Sequence, residues 1–341
     1  MRTERHGRRG RQLRGSSRLA PAVLLLLTLA GAAWAQGWET DILRDTFGYG
    51  EGTPADVDWG EIEQGCGARD CIPSIDEPRF LSADEADFLS PADVVMGIEV
   101  NGDARAYPIA ILNFHEIVND EIGGRPIVIT YCPLCGSGIA FDRTFGERVV
   151  EFGVSGLLRK SDLILYDRAT ESLWQQITGR AFAGPMRGEE LRSLPVSITR
   201  WVRWREAHPD TRVLSTDTGY ERPYSNKTPY GDYDQSRRLL FPVAFDQSLH
   251  PKTVVHGVEI GDDSYAVTES VLQAHGELSQ AGDPAVRWQM LPSGEVTAVR
   301  EDTGERLVTH RMFWFAWYSF HTTTRLYTET SGAGEADPDD G

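Results

Sequence analysis

Cysteine is scarce in this chain, since its 341 residues include only four. A fold held together mainly by disulfides is therefore excluded, because such small scaffolds are far richer in cysteine. Wholesale disorder is excluded as well: 40% of the residues are hydrophobic, and there are 9 Trp, 11 Tyr and 13 Phe. The sequence thus describes a folded protein, long enough for one large or two ordinary domains.

Long hydrophobic runs are also lacking. The apolar run over 19–33 is shorter than the ~20 residues that a membrane-spanning helix needs. Seven arginines precede it and Ala33-Trp34-Ala35 follows it, a pattern typical of a secretory signal peptide with a cleavage site before Gln36. An uncleaved anchor is the alternative. We expect an exported protein, periplasmic or extracellular, with no stable membrane anchor after cleavage.

Positive charge is in deficit, with 34 basic against 51 acidic side chains. Without residues 1–35 the balance is 27 against 50, a formal net charge of −23. Such a surface repels phosphate backbones and anionic lipids, so we expect no nucleic-acid partner. In an oxidising compartment the cysteines pair unless a metal or a redox role keeps them apart.

Short strands joined by tight turns dominate the pattern after a polar, loop-rich segment over 36–91. Val94–Val100 and Ala104–Tyr107 are separated by an Asn-Gly-Asp turn and predict a hairpin. Later connections are too short for helical crossovers, which indicates antiparallel pairing. With a short helix over Ile109–His115, the sequence predicts an α+β fold that is mainly antiparallel β with short helices.

Two motifs occur twice and in the same order. Val94–Val100 (VVMGIEV) returns as Val254–Ile260 (VVHGVEI), and the Trp-x2-Trp-x3-His motif starting at Trp201 returns at Trp314. This duplication predicts two unequal pseudo-repeated halves. The predicted organisation is a signal peptide (1–35), a loop-rich segment (36–91), a first repeat with the cysteine pair (92–216), a Tyr-rich connection (217–253), a shortened second repeat (254–330) and a disordered acidic tail (331–341).

Cys132 and Cys135 form a Cys-x-x-Cys motif within the first repeat. Two thiols at this spacing can close a redox-active disulfide or hold a thiophilic metal ion. A thioredoxin-type site is not expected, because Gly136–Phe141 has no features of a helix start. A plain structural disulfide remains open, either within this pair or with Cys66 or Cys71.

A metal site would need further ligands, because thiolate sites usually provide three or four. His115 precedes the same predicted sheet and is the candidate third ligand, or the base in a redox role. A hydrogen-bonded residue at a helix end is the alternative for this histidine. A tetrathiolate site formed by all four cysteines is less typical at these spacings. The predicted cofactor is a transition metal ion: copper, zinc or iron.

A second candidate site is a polar cleft over 159–176. The turn around Ser155 is not a nucleophile elbow, because Leu157 occupies the position that requires glycine. Turn and salt-bridge roles are the alternative for the charged residues of this stretch. The candidate catalytic residues are Arg159, Asp162, Asp167 and Glu171.

Several longer motifs together identify a family. The chain resembles the prokaryotic DUF3179 family over about 72–327, in the segments Ala106-Tyr107-Pro108, 115–120 (HEIVND), 130–135 (TYCPLC), 156–159 (GLLR), 161–163 (SDL), 166–168 (YDR) and 174–176 (WQQ). The resemblance implies a shared motif set that includes His115, Cys132, Cys135, Arg159 and Asp162, but no reaction. Cys66 and Cys71 are not part of that set, which favours a local disulfide between them.

These observations favour an exported protein that uses Cys132 and Cys135, with His115, for metal binding or redox chemistry. One alternative is an extracytoplasmic hydrolase or small-ligand-binding protein that uses the polar cleft. The other is a structural protein of the cell envelope. Whether the chain is an enzyme is not determined by the sequence.

Overall fold

The computed structural model describes residues 41–227 and 229–328. The predicted signal peptide and acidic tail lie outside the described residues. Within those residues, no helix has both the length and the apolar character required to span a bilayer. All of them fall in one compact unit.

Short strands account for most of the regular structure in the described residues. They are β1 (Ile62–Gln64), β2 (Phe80–Ser82), β3 (Val94–Val100), β4 (Asp103–Pro108), β5 (Ile117–Ile122), β6 (Arg125–Cys132), β7 (Ser137–Asp142), β8 (Thr144–Phe145), β9 (Arg148–Val149), β10 (Phe152–Arg159), β11 (Asp162–Asp167), β12 (Leu173–Gln175), β13 (Ala181–Ala183), β14 (Arg192–Leu194), β15 (Ser197–Arg200), β16 (Arg212–Leu214), β17 (Val254–Ile260), β18 (Asp263–Thr268), β19 (Glu277–Gln280), β20 (Val286–Met290), β21 (Val296–Arg300), β22 (Arg306–Leu307), β23 (His310–Phe313) and β24 (Arg325–Tyr327).

Helices are few and short. In the part of the chain that the structure describes, a π-helical turn (Ile42–Thr46) and a 3-10 turn (Trp59–Glu61) precede four α-helices, which are α1 (Ile109–Leu112), α2 (Trp201–Ala207), α3 (Glu269–His275) and α4 (Trp314–Phe320). Each of these α-helices starts at the residue after a strand ends.

The predicted α+β class is wrong. Strands make up 39% of the structure and helices 12%, and five sheets form a five-bladed, propeller-like arrangement. The sheets have the strand orders β1-β10-β11-β12-β13, β14-β7-β6-β5, β15-β3-β4-β16-β2, β23-β17-β18-β24 and β19-β20-β21-β22. The sequence predicted a short helix over Ile109–His115, of which the structure forms only Ile109–Leu112, and helices of four to seven residues cannot provide the second layer that an α+β fold requires.

Two of the sheets share one local design. Strand order β15-β3-β4-β16 matches β23-β17-β18-β24, including a parallel last pair in each. In both, the second tryptophan of the helix stacks on a histidine four residues later, with ring centroids 3.9 Å apart at Trp204–His208 and 3.8 Å at Trp317–His321. The duplicated motifs therefore adopt the same packing twice.

A glycine makes this packing possible. A Cβ atom at Gly97 would lie 2.4 Å from the Trp204 ring, and one at Gly257 would lie 2.4 Å from the Trp317 ring. We expect Gly97→Ala to lower the free energy of unfolding by about 3 kcal/mol, because overpacking forces the indole out of place. Urea denaturation measures this loss. Gly67→Ala is the control, since that Cβ would meet no atom within 4 Å; equal midpoints for both variants would contradict the packing argument.

The largest hydrophobic cluster lies where these sheets meet. It contains Cys132 and Cys135 together with Val255, Met312 and Trp314 from the second copy of the motifs. Residues from distant parts of the chain therefore enclose the Cys-x-x-Cys motif.

Candidate functional site

The Cys-x-x-Cys motif forms the turn of the β6–β7 hairpin. Cys132 is the last residue of β6 and pairs with Ser137, so Cys135 lies within the four-residue connection. Gly136 closes the turn with φ of +59°, a conformation that favours glycine. The Ser137 hydroxyl donates to the Gln176 side chain at 2.9 Å and fixes the base of the hairpin. Both thiols are free and buried.

A second tight turn packs against the thiols. Lys160 and Ser161, both with positive φ, connect β10 to β11 in a two-residue hairpin. This turn directs the Ser161 carbonyl oxygen at the cysteines, with distances of 3.7 Å to Cys132 Sγ and 3.3 Å to Cys135 Sγ. The two hairpins thus meet turn to turn.

Asp162 follows that turn and completes a three-residue cluster. One ligand atom from each of Cys132, Cys135 and Asp162 lies within 4.8 Å of the others, and all three residues are buried. Asp162 Oδ2 accepts hydrogen bonds from Gln175 Nε2 at 2.7 Å and from the Ile177 backbone N–H at 3.0 Å. Its other oxygen, Oδ1, is buried and has no hydrogen-bond partner among the described residues.

Burial shifts the proton equilibria of this cluster. It raises the pKa of Asp162 to about 7 and raises the pKa of the Cys135 thiol well above its usual range, where the neighbouring Cys132 adds to the effect. Both pKa values are raised because a buried negative charge is unfavourable when no cation lies beside it. The cluster is therefore built to receive positive charge or to remain protonated.

Further ionisable side chains surround the cluster. Burial, and then the charge of Asp162, raises the pKa of Glu116 to about 8. The Tyr233 hydroxyl is buried without a hydrogen-bond partner among the described residues. Lys252 lies over the Tyr233 ring, 3.6 Å from its centroid, and donates to the Arg238 carbonyl at 2.8 Å. This density of titratable groups in a core is typical of a functional site.

A cavity of about 470 Å³ reaches the Cys-x-x-Cys turn. Pro133 and Gly136 of the turn border it, and so do Tyr131, Tyr230 and Phe313. Its size lies within the range of small-molecule sites. The cluster therefore has a neighbouring space that a ligand can occupy.

His115 does not join the cysteines. Its Nδ1 lies 2.7 Å from the Pro73 carbonyl oxygen, and its Nε2 contacts the Tyr224 hydroxyl. The ring packs against Tyr220 and Tyr224. Both ring nitrogens are thus occupied, and the carboxylate of Asp162 stands where the sequence placed the imidazole.

The other candidates for a polar cleft are dispersed. Arg159 pairs with Glu61 at 2.7 Å, whereas the exposed Glu171 pairs with Arg69 at 2.6 Å. Asp167 accepts from the Thr170 backbone N–H at 2.6 Å and caps a turn. Asp162 and Asp167 stand at opposite ends of β11, about 16 Å apart at ~3.3 Å per residue, too far for a pair of catalytic carboxylates.

Cys66 and Cys71 form the expected disulfide. It closes a small loop whose Asp70 carboxylate accepts from the Tyr166 hydroxyl at 2.6 Å. The disulfide pair and the thiol pair are therefore separate, and a tetrathiolate site is excluded.

Sequence reasoning missed Lys252, whereas it placed Glu116 beside a candidate ligand and Tyr233 in the Tyr-rich connection. The sequence feature that points to Glu116 is its position directly after the candidate ligand His115, inside a family motif. Tyr233 and Lys252 are brought in by a connection of irregular structure, whose path no periodicity reveals.

Comparison with known proteins gives one result. A family model described as a protein of unknown function (DUF3179) matches residues 69–291. No curated protein and no solved structure matches the chain. Because the matched segment covers well over half of the sequence and contains the whole cysteine cluster, the chain belongs to the DUF3179 family.

Proposed function

We propose that this protein binds one thiophilic metal ion through Cys132, Cys135 and Asp162. The observation that carries the proposal is the buried cluster itself: a carboxylate oxygen of Asp162 lies within 4.8 Å of both free thiol sulfurs, and Asp162 Oδ1 makes no hydrogen bond among the described residues. An unpaired carboxylate oxygen in a core costs several kcal/mol unless a proton or a cation neutralises it. A bound cation removes that cost and holds both thiolates.

The donor set favours zinc over copper or iron. Zinc accepts two cysteine sulfurs together with a carboxylate oxygen, whereas copper(I) prefers soft ligands alone. An iron–sulfur cluster held by cysteines alone needs four of them, and two of the four here form the Cys66–Cys71 disulfide. When bound, zinc would supply a Lewis acid next to the turn that borders the 470 Å³ cavity through Pro133 and Gly136.

A thiol–disulfide exchange role has less support. The attacking species in exchange is an accessible thiolate with a pKa near the ambient pH. Cys135 is buried, and its pKa is raised well above the usual range by that burial. Metal binding needs no access for a partner protein, so the same burial favours it.

Elemental analysis tests the proposal. The full chain is produced in zinc-supplemented cells and purified without chelators, and we expect close to one zinc per molecule. Cys132→Ser/Cys135→Ser should reduce this to background, because two of three ligands are lost.

The chain offers a matched control in its other cysteine pair. Cys66→Ser/Cys71→Ser removes the same number of sulfurs but should retain the zinc. Equal metal content in the two double variants, or a quantitative Cys132–Cys135 disulfide in metal-free wild type, would refute the metal site.

Export is part of the proposal, supported by the arginine-rich segment, the apolar run and the Ala-Trp-Ala sequence that follows it. We expect the protein in the extracytoplasmic fraction with Gln36 as its first residue. Amino-terminal sequencing of the fractionated protein measures this. An intact Met1 in the cytoplasmic fraction would contradict it.

A further inference from the structure

At three neighbouring positions the first copy of the duplicated motif has apolar residues and the second copy has polar ones. The strand registers equate Met96 with His256 and Ile198 with Arg311, because each pair occupies the same rung of β3–β15 and β17–β23. The following hairpins equate Ile109 with Glu269. The scaffold needs only apolar residues here, as the first copy demonstrates: Met96 lies in a hydrophobic cluster against which the two isoleucines pack.

In the second copy these positions form a polar network. Glu269 Oε2 accepts from Arg311 Nε at 2.7 Å and lies 3.3 Å from His256 Nε2. His256 is buried and the other two side chains are partly buried, so this network occupies positions where hydrophobic residues suffice and costs stability. The network holds the Arg311 guanidinium by its Nε, and the terminal nitrogens are not part of this ion pair.

Arg311 lies at the junction of two cavities. It borders the 470 Å³ cavity beside the cysteine turn and a second cavity of about 190 Å³. Val94 and Ile198 also border both, so the two spaces are neighbours.

The smaller cavity is positively charged. Arg200 and Arg203 border it with Arg311, against the single carboxylate of Glu269. Arg200 and Arg203 are exposed and have no ion pair among the described residues. Three guanidinium groups around one small space are unusual on a chain whose net charge is −17, and guanidinium is the preferred partner of carboxylates.

The larger cavity combines apolar walls with aromatic rings. Ile109, Val254 and Phe313 line it together with Tyr131 and Tyr230. Its rim also carries the Lys227–Asp93 ion pair, Asp234 and Lys252. A flat, apolar group of a ligand therefore fits this cavity, whose own lining has little net charge.

The geometry points to a binding site for a small aromatic carboxylate, with the carboxylate at Arg311, Arg200 and Arg203 and the ring in the larger cavity. This site goes beyond the proposed metal centre and does not depend on it. Glu269 acts as a positioning residue that orients Arg311.

Calorimetric titration tests the assignment, with benzoate, its neutral analogue benzamide and inorganic phosphate as probes. Wild type should bind benzoate at least tenfold more tightly than either of the others. Arg311→Met, which restores an apolar side chain as in the first copy, should weaken benzoate binding at least tenfold. Arg200→Gln/Arg203→Gln should weaken it too, and these exposed positions leave the core intact.

Arg306→Gln is the charge-matched control, because Arg306 is exposed on β22 and borders neither cavity. It should bind benzoate as wild type does. If benzamide binds as tightly as benzoate, the anion site is refuted. If phosphate binds as tightly as benzoate, the aromatic part of the site is refuted. If Arg306→Gln weakens benzoate binding as much as Arg311→Met does, the effect is due to net charge alone. The Cys132→Ser/Cys135→Ser variant should bind benzoate normally, which separates this site from the metal centre.

Discussion

Zinc should stabilise the wild-type protein by about 4 kcal/mol when its free concentration is a thousandfold above the dissociation constant, and Asp162→Asn should lose most of that gain. The general relation between ligand binding and stability gives this figure for any ligand that binds only the folded state. Asparagine has nearly the shape of aspartate and can still accept from Gln175 and Ile177, but it supplies no charge to the cation. Denaturant titrations of metal-free and zinc-loaded protein measure the difference.

The metal-free variant provides the internal control. Without zinc, Asp162→Asn should be at least as stable as wild type at pH 8, because it removes a buried carboxylate whose Oδ1 has no partner. A purely structural aspartate would behave in the opposite way, losing stability on substitution and leaving any effect of zinc unchanged. That pattern would remove Asp162 from the ligand set.

Local signals predicted much of the β structure. The hairpin with the Asn101-Gly102 turn follows from turn chemistry and its two apolar flanks, and the structure confirms it. The fold class could not be obtained in this way. The Trp-x2-Trp-x3-His motif starting at Trp201 forms a helix, but nothing in the local sequence shows that this helix stops after seven residues.

The candidate site was predicted in part for the same reason. Cys132 and Cys135 are adjacent in sequence, so their pairing is a local property that spacing reveals. Asp162 reaches them only because two hairpin turns from different sheets meet, which is a long-range event. The sequence placed Asp162 in a cleft with Asp167, although one uninterrupted strand separates the two. His115 was the nearer candidate along the chain, but its ring nitrogens are engaged elsewhere.

Glu116 is a residue of the candidate site that lowers the stability of the fold. It is buried, its φ is +58°, and burial raises the pKa of its carboxyl group to about 8. A positive φ is unfavourable for glutamate, and so is the loss of solvation. Residues that break local rules in this way concentrate at functional sites. The cost should be measurable as a dependence of stability on pH.

Glu116→Gln should make the metal-free protein about 2 to 4 kcal/mol more stable than wild type at pH 8.5 and leave it nearly unchanged at pH 4.5. Burial raises the pKa of Glu116 to about 8, so the folded state keeps a proton that the unfolded state loses above about 4.5. The folded wild type therefore loses stability as the pH rises from about 4.5 to about 8, whereas glutamine has no proton to lose.

Each pH unit of that window corresponds to at most about 1.4 kcal/mol, and local relaxation reduces the total. Urea denaturation of both proteins with a chelator present, at steps of half a pH unit, gives the difference curve. Glu121→Gln on the same hairpin is the matched control, because that side chain is exposed and its difference curve should be flat. If the two curves coincide, Glu116 is hydrated in solution. Burial of the acidic groups around Cys132 and Cys135 then does not lower the stability of the fold.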